Sequence, residues 1–169
     1  VENWDHTLGV FKDPFFFMDP IDLSIPIFLM MYGTIGFFIL HHLSSPVKLM
    51  HLIQLAIIIL FFRTITLFFF RFDAPEMIIL KDPFLNTFLY SMDGRQNLMH
   101  HDLFFSGHTA NLFIASVLFN NKKIKYFFLA ITLLMGSCLI LQHVHYSIDV
   151  ILAPLFSFLA LFLHKKITE

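Results

Sequence analysis

The sequence predicts an all-α protein, a polytopic bundle of helices that cross a membrane. Of its 169 residues, 57% are hydrophobic and 14% are charged, whereas soluble domains have about 45–50% apolar and about 25% charged residues. The apolar residues also collect in long runs, and about 20 such residues cross a bilayer as a helix. Five runs predict five spans: 23–41, 47–70, 103–119, 124–141 and 148–163. By its length, the chain 1–169 is expected to form a single transmembrane domain.

The segments outside these runs differ in character. Residues 1–22 are acidic and aromatic, and Pro14 and Pro20 disfavour a continuous helix there. We expect an interfacial segment, with Trp4 at the level of the lipid head groups. The 71–102 loop is too apolar for a solvated linker, so it predicts an external loop with a short interfacial helix.

The basic residues alternate with loop order along the chain. Three turns together hold six lysines and a single acid: 41–48, 120–125 and 164–169. The remaining loop segments hold ten acidic residues and four basic ones. Because the cytoplasmic loops of membrane proteins carry an excess of Lys and Arg, we expect the three turns in the cytoplasm and the other segments outside.

Two short stretches place ionisable residues at the mouths of predicted helices, where a charge is costly and suggests function. They are Asp102–Thr109 and His143–Val150, and the charge alternation places both on the outer face. His145 and Asp149 are four residues apart, so on a helix the carboxylate can hold the imidazole. Ser106 and Gly107 stand at a helix start, where free N–H groups and the helix dipole favour an anion.

These residues predict histidine-based phosphoryl transfer. His145 would attack a lipid phosphorus while Asp149 orients its ring, and His108 would protonate the leaving alkoxide. The amides of Ser106 and Gly107 would stabilise the equatorial oxygens of the phosphoryl group. This chemistry requires no metal ion and no other cofactor.

Other residues are expected to support the site or the packing around it. Arg63 lies well inside an apolar run, and a buried guanidinium needs an anionic partner, either a substrate phosphate or an acid in the site. The alternative is that its long side chain extends to the outer membrane surface. Asp102 is expected either to support the site or to be a helix-start aspartate. Gly33 and Gly36 are expected to allow close helix packing.

The two stretches also resemble the motifs of a known family. They are similar to the phosphatidic acid phosphatase type 2 superfamily, and most closely to its sphingomyelin synthase branch, in two blocks: Asp102-x3-Ser-Gly-His-Thr and His145-Tyr-Ser-x-Asp-Val. In that branch the second block has Thr where Ser147 stands here. The resemblance implies transfer of a phospho-head group from a membrane phospholipid to a lipid hydroxyl through a phosphohistidine. It also implies six spans, of which the first would precede Val1.

Other functions remain open at this stage. If water replaced the lipid acceptor, the enzyme would be a lipid phosphate phosphatase. A metal enzyme is an alternative of a different class, since six residues could gather an ion: His100, His101, Asp102, His108, His143 and His145. A non-enzymatic scaffold is a third reading, against which the intact set of two histidines and an aspartate argues. No basic stripe indicates nucleic-acid binding, and the oligomeric state is left open.

Overall fold

The described part of the chain folds into α-helices joined by short turns. The computed structural model describes residues 12–16, 18–70, 82 and 105–168. Its helices are α1 (Ser24–His41), α2 (Pro46–Phe69), α3 (Gly107–Val117), α4 (Lys122–Leu141) and α5 (Ser147–Thr168). No β-strand occurs among these residues, which confirms the predicted all-α class.

The starts of three helices follow from local chemistry. Pro46 opens α2, and proline suits the first helical position because its missing N–H would have no intrahelical acceptor there. Ser106 caps α3 by accepting the N–H of Thr109. Asn121 caps α4, where its Oδ1 accepts the N–H of Lys123 at 2.9 Å. Such caps satisfy orphan donors of the first turn and stabilise a helix by about 1 kcal/mol.

Four of the five predicted spans are confirmed by helix length and composition. They are α1, α2, α4 and α5, with 18, 24, 20 and 22 residues, and they make the chain an integral membrane protein. The predicted span at 103–119 corresponds to α3, which has only 11 residues. At about 1.5 Å per residue it extends about 16 Å, short of the hydrocarbon core of about 30 Å. Alone, α3 is too short to cross.

The short helix α3 is the centre of the bundle. It packs against all four longer helices, while α1 also packs on α4 and α2 on α5. Apolar side chains of α3 are consequently buried in three different clusters: Ala110, Leu112, Ile114 and Ala115. A helix enclosed in this way is shielded from lipid, so its N-terminus can carry a polar group inside the bundle.

The lysine-bearing turns share one end of this bundle. Lys48 Nζ lies 3.3 Å from His42 Nε2, and the His42 ring packs against Phe119 in the turn before α4. At the same end, His164 Nε2 lies 2.8 Å from Gln54 Oε1 and so joins the end of α5 to the start of α2. The two histidine motifs lie at the opposite end, in agreement with the predicted alternation of the helices.

A glycine in α4 sets the distance between α4 and α5. A Cβ atom built on Gly136 would lie 2.6 Å from Cγ1 of Val150, so a larger residue there would force the two helices or the Val150 side chain to shift. Gly33 and Gly36, which were expected to mediate close packing, have no described atom within 4 Å of such a Cβ. Of these three glycines, the one that a close contact requires is therefore Gly136 in α4, beside the second histidine motif.

We expect Gly136→Ala to destabilise the protein by about 1–3 kcal/mol, because overpacking displaces the stiff, β-branched Val150. Gly33→Ala is the matched control. It places the same methyl group in open space and should be neutral or stabilising by up to about 1 kcal/mol, since alanine favours a helix more than glycine does. Thermal unfolding in detergent micelles measures both, and equal losses in the two variants would contradict the assignment of the contact.

Candidate active site

The second histidine motif forms a buried imidazole–carboxylate pair. His145 and Asp149 are 3% and 0% exposed, and His145 Nδ1 lies 3.4 Å from Asp149 Oδ2, at the long end of hydrogen-bond range. The same oxygen accepts the N–H of Tyr146 at 3.1 Å, which fixes the carboxylate. The contact predicted from the four-residue spacing is thus present. With Nδ1 directed at the carboxylate, the contact favours one tautomer of the imidazole.

The other carboxylate oxygen of Asp149 is an unusual acceptor. Among the described residues, Oδ1 is buried and has no hydrogen-bond partner. Asp149 lies in the first turn of α5, where the helix dipole favours an anion. The carboxylate is therefore held at a helix N-terminus as well as by its contact with the Tyr146 amide.

A backbone hydrogen bond joins the first histidine motif to the second. The N–H of Ser106 donates to the carbonyl of Asp149 at 3.1 Å. The Ser106 hydroxyl in turn accepts from the N–H and the hydroxyl of Thr109, at 3.3 and 3.0 Å. Because the Ser106 amide has this partner, its predicted contact with phosphate does not fit the geometry. The Gly107 amide, at the first helical position, has no intrahelical acceptor and fits that role better.

The hydrogen-bonded motifs bring two histidine rings face to edge. The ring centroids of His108 and His145 are 6.5 Å apart, with 63° between the ring planes. His108 is half-buried, and the Phe28 ring of α1 lies edge-on to it at 6.1 Å. The two rings are thus close enough for both to contact one bound group.

The guanidinium of Arg63 lies against the start of α3. Its Nη1 donates to the carbonyl of Phe105 at 2.5 Å, and a Cβ on Gly107 would lie 3.0 Å from the same atom. Glycine at this position lets the cation approach the helix N-terminus closely. Arg63, expected from sequence to meet an anion, is thus placed beside the N–H groups of the same helix end.

Some predicted residues fall outside the described part of the chain. They are Asp102, His100 and His101, and nearly all of the 71–102 loop with its expected interfacial helix. Within the described ranges, no three His, Cys, Asp or Glu side chains are grouped so that they could hold a metal ion. The other predicted site residues do converge on one end of the bundle: Arg63, Ser106, Gly107, His108, His145 and Asp149.

Sequence reasoning missed two residues that hold this end together. Asp13 is buried, and its Oδ2 accepts the N–H of Ser147, the first residue of α5. Gln142 is fully buried, and its side-chain amide bonds Leu23 and Ser24 at the start of α1, each at 3.0 Å. A glutamine amid apolar residues at the end of a predicted span was the one visible signal, whereas Asp13 had none.

We expect Arg63→Lys to keep the fold but to weaken the binding of a phosphate ester by about 1–3 kcal/mol, the range for a hydrogen bond to a charged group. Lysine can still donate to the Phe105 carbonyl, but it lacks the planar fork that binds two oxygens at once. The measurement is the KM for phospholipid in mixed micelles, with thermal unfolding as the control for folding. An unchanged KM in both Arg63→Lys and Arg63→Ala would show that the guanidinium does not meet the substrate.

Comparison with known proteins supports part of the resemblance. A family model described as PAP2 superfamily C-terminal matches residues 101–166, a segment that contains both histidine motifs together with α3, α4 and most of α5. No curated protein and no solved structure matches the chain. The segment that carries the site is therefore similar to the PAP2 superfamily, whose members are phosphatases or phosphotransferases.

Proposed function

We propose that the protein is a membrane-embedded lipid phosphotransferase of the sphingomyelin synthase type. It moves a phospho-head group from a phospholipid donor to the hydroxyl group of a lipid acceptor, through a phosphohistidine intermediate. The observation that carries the proposal is the pair of neighbouring rings of His108 and His145, whose centroids are 6.5 Å apart and of which one is held by a buried carboxylate. Two imidazoles on opposite sides of a tetrahedral phosphorus can act as nucleophile and as general acid.

In the first half-reaction, His145 Nε2 forms a bond to phosphorus while the bond from phosphorus to the lipid oxygen breaks. His108 gives its proton to the departing alkoxide, which leaves as a neutral alcohol. Asp149 holds the Nδ1–H of the nucleophile and stabilises the positive charge that develops on the ring. In the second half-reaction, His108 takes the proton of the acceptor hydroxyl, whose oxygen then displaces His145 from phosphorus.

Arg63 and the Gly107 amide supply the electrostatic part of catalysis. Phosphoryl transfer needs donors and cations around the equatorial oxygens more than it needs covalent chemistry from the protein. Arg63 lies 3.0 Å from the position of a Gly107 Cβ, so the cation and the amide serve the same small volume. A helix N-terminus adds its dipole to this arrangement.

The depth of the site favours a lipid acceptor over water. Arg63 lies six residues before the end of α2, which is about 9 Å at ~1.5 Å per residue. His145 and Asp149 are almost completely buried, and a water-poor site slows hydrolysis of a reactive intermediate. Hydrolysis to a free phosphate ester, the phosphatase reaction, is the alternative outcome of the experiment below.

The site is proposed to face the side of the membrane opposite to the cytoplasm. Support comes from the lysine-bearing turns at the other end of the bundle, since Lys and Arg are in excess in cytoplasmic loops. Donor and acceptor lipids would then be drawn from the outer or lumenal leaflet.

The proposed function is tested by lipid mass spectrometry of the purified protein in micelles of mixed phospholipids. Incubations with and without a sphingoid or diacylglycerol acceptor are compared, and His145→Ala is the inactive control. We expect a new head-group-bearing lipid that appears only with the acceptor and the wild-type protein. Release of head-group phosphate without an acceptor would identify a phosphatase. The absence of any product, with or without an acceptor, would contradict the proposed function.

Substitutions of the two histidines are expected to impair different steps of the reaction. His145→Ala should abolish covalent labelling from a phosphorus-32 substrate, because the nucleophile is lost. His108→Ala should lower turnover of lipid substrates by about 10²–10⁴-fold, the usual contribution of general acid catalysis. It should still form an adduct with an activated substrate, whose leaving group needs no proton. Rapid-quench labelling with peptide mapping measures both, and phosphate found on His108 would reverse the two roles.

A further inference from the structure

The turn that leads into His145 has a strained residue at its centre. After α4, the N–H of His143 donates to the carbonyl of Ile140 at 3.0 Å, and the N–H of Val144 donates to the carbonyl of Leu139, also at 3.0 Å. This pair of bonds is the Schellman arrangement that ends many helices, and its central residue is left-handed and usually glycine. Here that residue is His143, with φ of 58°. A side chain at a position that favours glycine suggests that the side chain itself is used.

The His143 ring is used as a stacking surface. It is buried, and the Phe16 ring lies parallel to it with centroids 4.0 Å apart and 20° between the planes. Phe16 also stacks on Tyr146 at 5.6 Å. One aromatic side chain of the N-terminal segment therefore contacts the residues on both sides of the Val144–His145 dipeptide.

Asp13 binds the other end of the same turn, at Ser147. One carboxylate oxygen accepts the N–H of Phe15 at 2.9 Å, which orients the carboxylate within its own segment. The other accepts the N–H of Ser147 at the start of α5. A carboxylate at a helix N-terminus is stabilised by the helix dipole, so this contact ties the N-terminal segment to the helix that carries Asp149.

We propose that Asp13, Phe16 and His143 form a latch that positions His145 for attack on phosphorus. The latch is proposed to act through the backbone on either side of the nucleophile, at His143 and at Ser147, rather than by contact with the substrate. The inference rests on the proposed function for its kinetic consequence. A shift of about 1 Å in a catalytic group can cost on the order of 10²-fold in rate, so the latch acts on turnover rather than on binding.

His143→Gly is the decisive variant, because relief of the backbone strain should preserve or raise its Tm, whereas loss of the positioning ring should lower its kcat. Glycine adopts the left-handed conformation without a steric penalty, so the Tm of the variant should equal or exceed that of the wild type. Loss of the stacked ring should nevertheless lower kcat by about 10-fold or more, with KM within about twofold. The assay uses the mixed-phospholipid micelles with the acceptor described above.

Substitutions of Phe16 provide a second, independent test of the latch. Phe16→Leu keeps an apolar side chain but removes the ring, and it should lower kcat as His143→Gly does. Phe16→Tyr keeps the ring and should retain the wild-type kcat. Phe15→Leu is the matched control, since the neighbouring Phe15 side chain is 54% exposed and should change neither kcat nor KM.

A measurement that does not depend on turnover tests the latch independently of the proposed function. Diethyl pyrocarbonate modifies accessible imidazoles, and peptide mass spectrometry reports the rate at His145. The rate should be low in the wild type, where His145 is 3% exposed, and several-fold higher in His143→Gly and Phe16→Leu. If the wild type transfers no head group, the proposed function fails while this measurement still decides on the latch. Unchanged labelling and kcat in both variants, or a change confined to KM, would overturn the latch.

Discussion

The hydrogen bond from the Ser106 amide to the Asp149 carbonyl is the constraint on which the site depends. It joins residues that are 43 positions apart in the sequence, and it places the cap of α3 directly against the first turn of α5. Each histidine is held by its own helix start, so this one bond sets the position of the His108 ring relative to the His145 ring. The two groups proposed as nucleophile and acid are thereby placed by main-chain geometry, which varies less than side-chain rotamers do.

The unusual length of α3 follows from the same constraint. The chain must enter the bundle far enough for Ser106 to reach Asp149 and for Phe105 to accept from Arg63. It then has only 11 helical residues before the turn that leads into α4. Because α3 is enclosed by the longer helices, its N-terminal N–H groups and its half-buried histidine are shielded from hydrocarbon. A full-length helix in this place would carry the same groups to the membrane surface and into water.

The sequence predicted the local contacts and the common end of the two histidine motifs, but not the individual contacts between distant residues. The long apolar runs predicted the helical class, and the four-residue spacing of His145 and Asp149 predicted their contact, because helix geometry fixes such neighbours. Arg63 was predicted to meet an anion from its depth in an apolar run, and it lies at an anion-favouring helix end. Hydropathy could not reveal the length of α3, since apolar residues continue on both sides of its cap. The roles of Asp13 and of the Ser106 amide depend on tertiary contacts with partners far along the chain, for which the local pattern gives no sign.

The contact between Asp13 and Ser147 also imposes an order in time on the assembly of the protein. Its two residues are separated by 134 positions, and chains grow at about 5–20 residues per second. The N-terminal segment therefore waits on the order of 10 s after its own synthesis before its partner exists. During that interval the bundle can begin to pack, but the N-terminal segment cannot yet close the turn that carries His145. A chain that stops before Ser147 consequently lacks the contact that ties this segment to the second histidine motif.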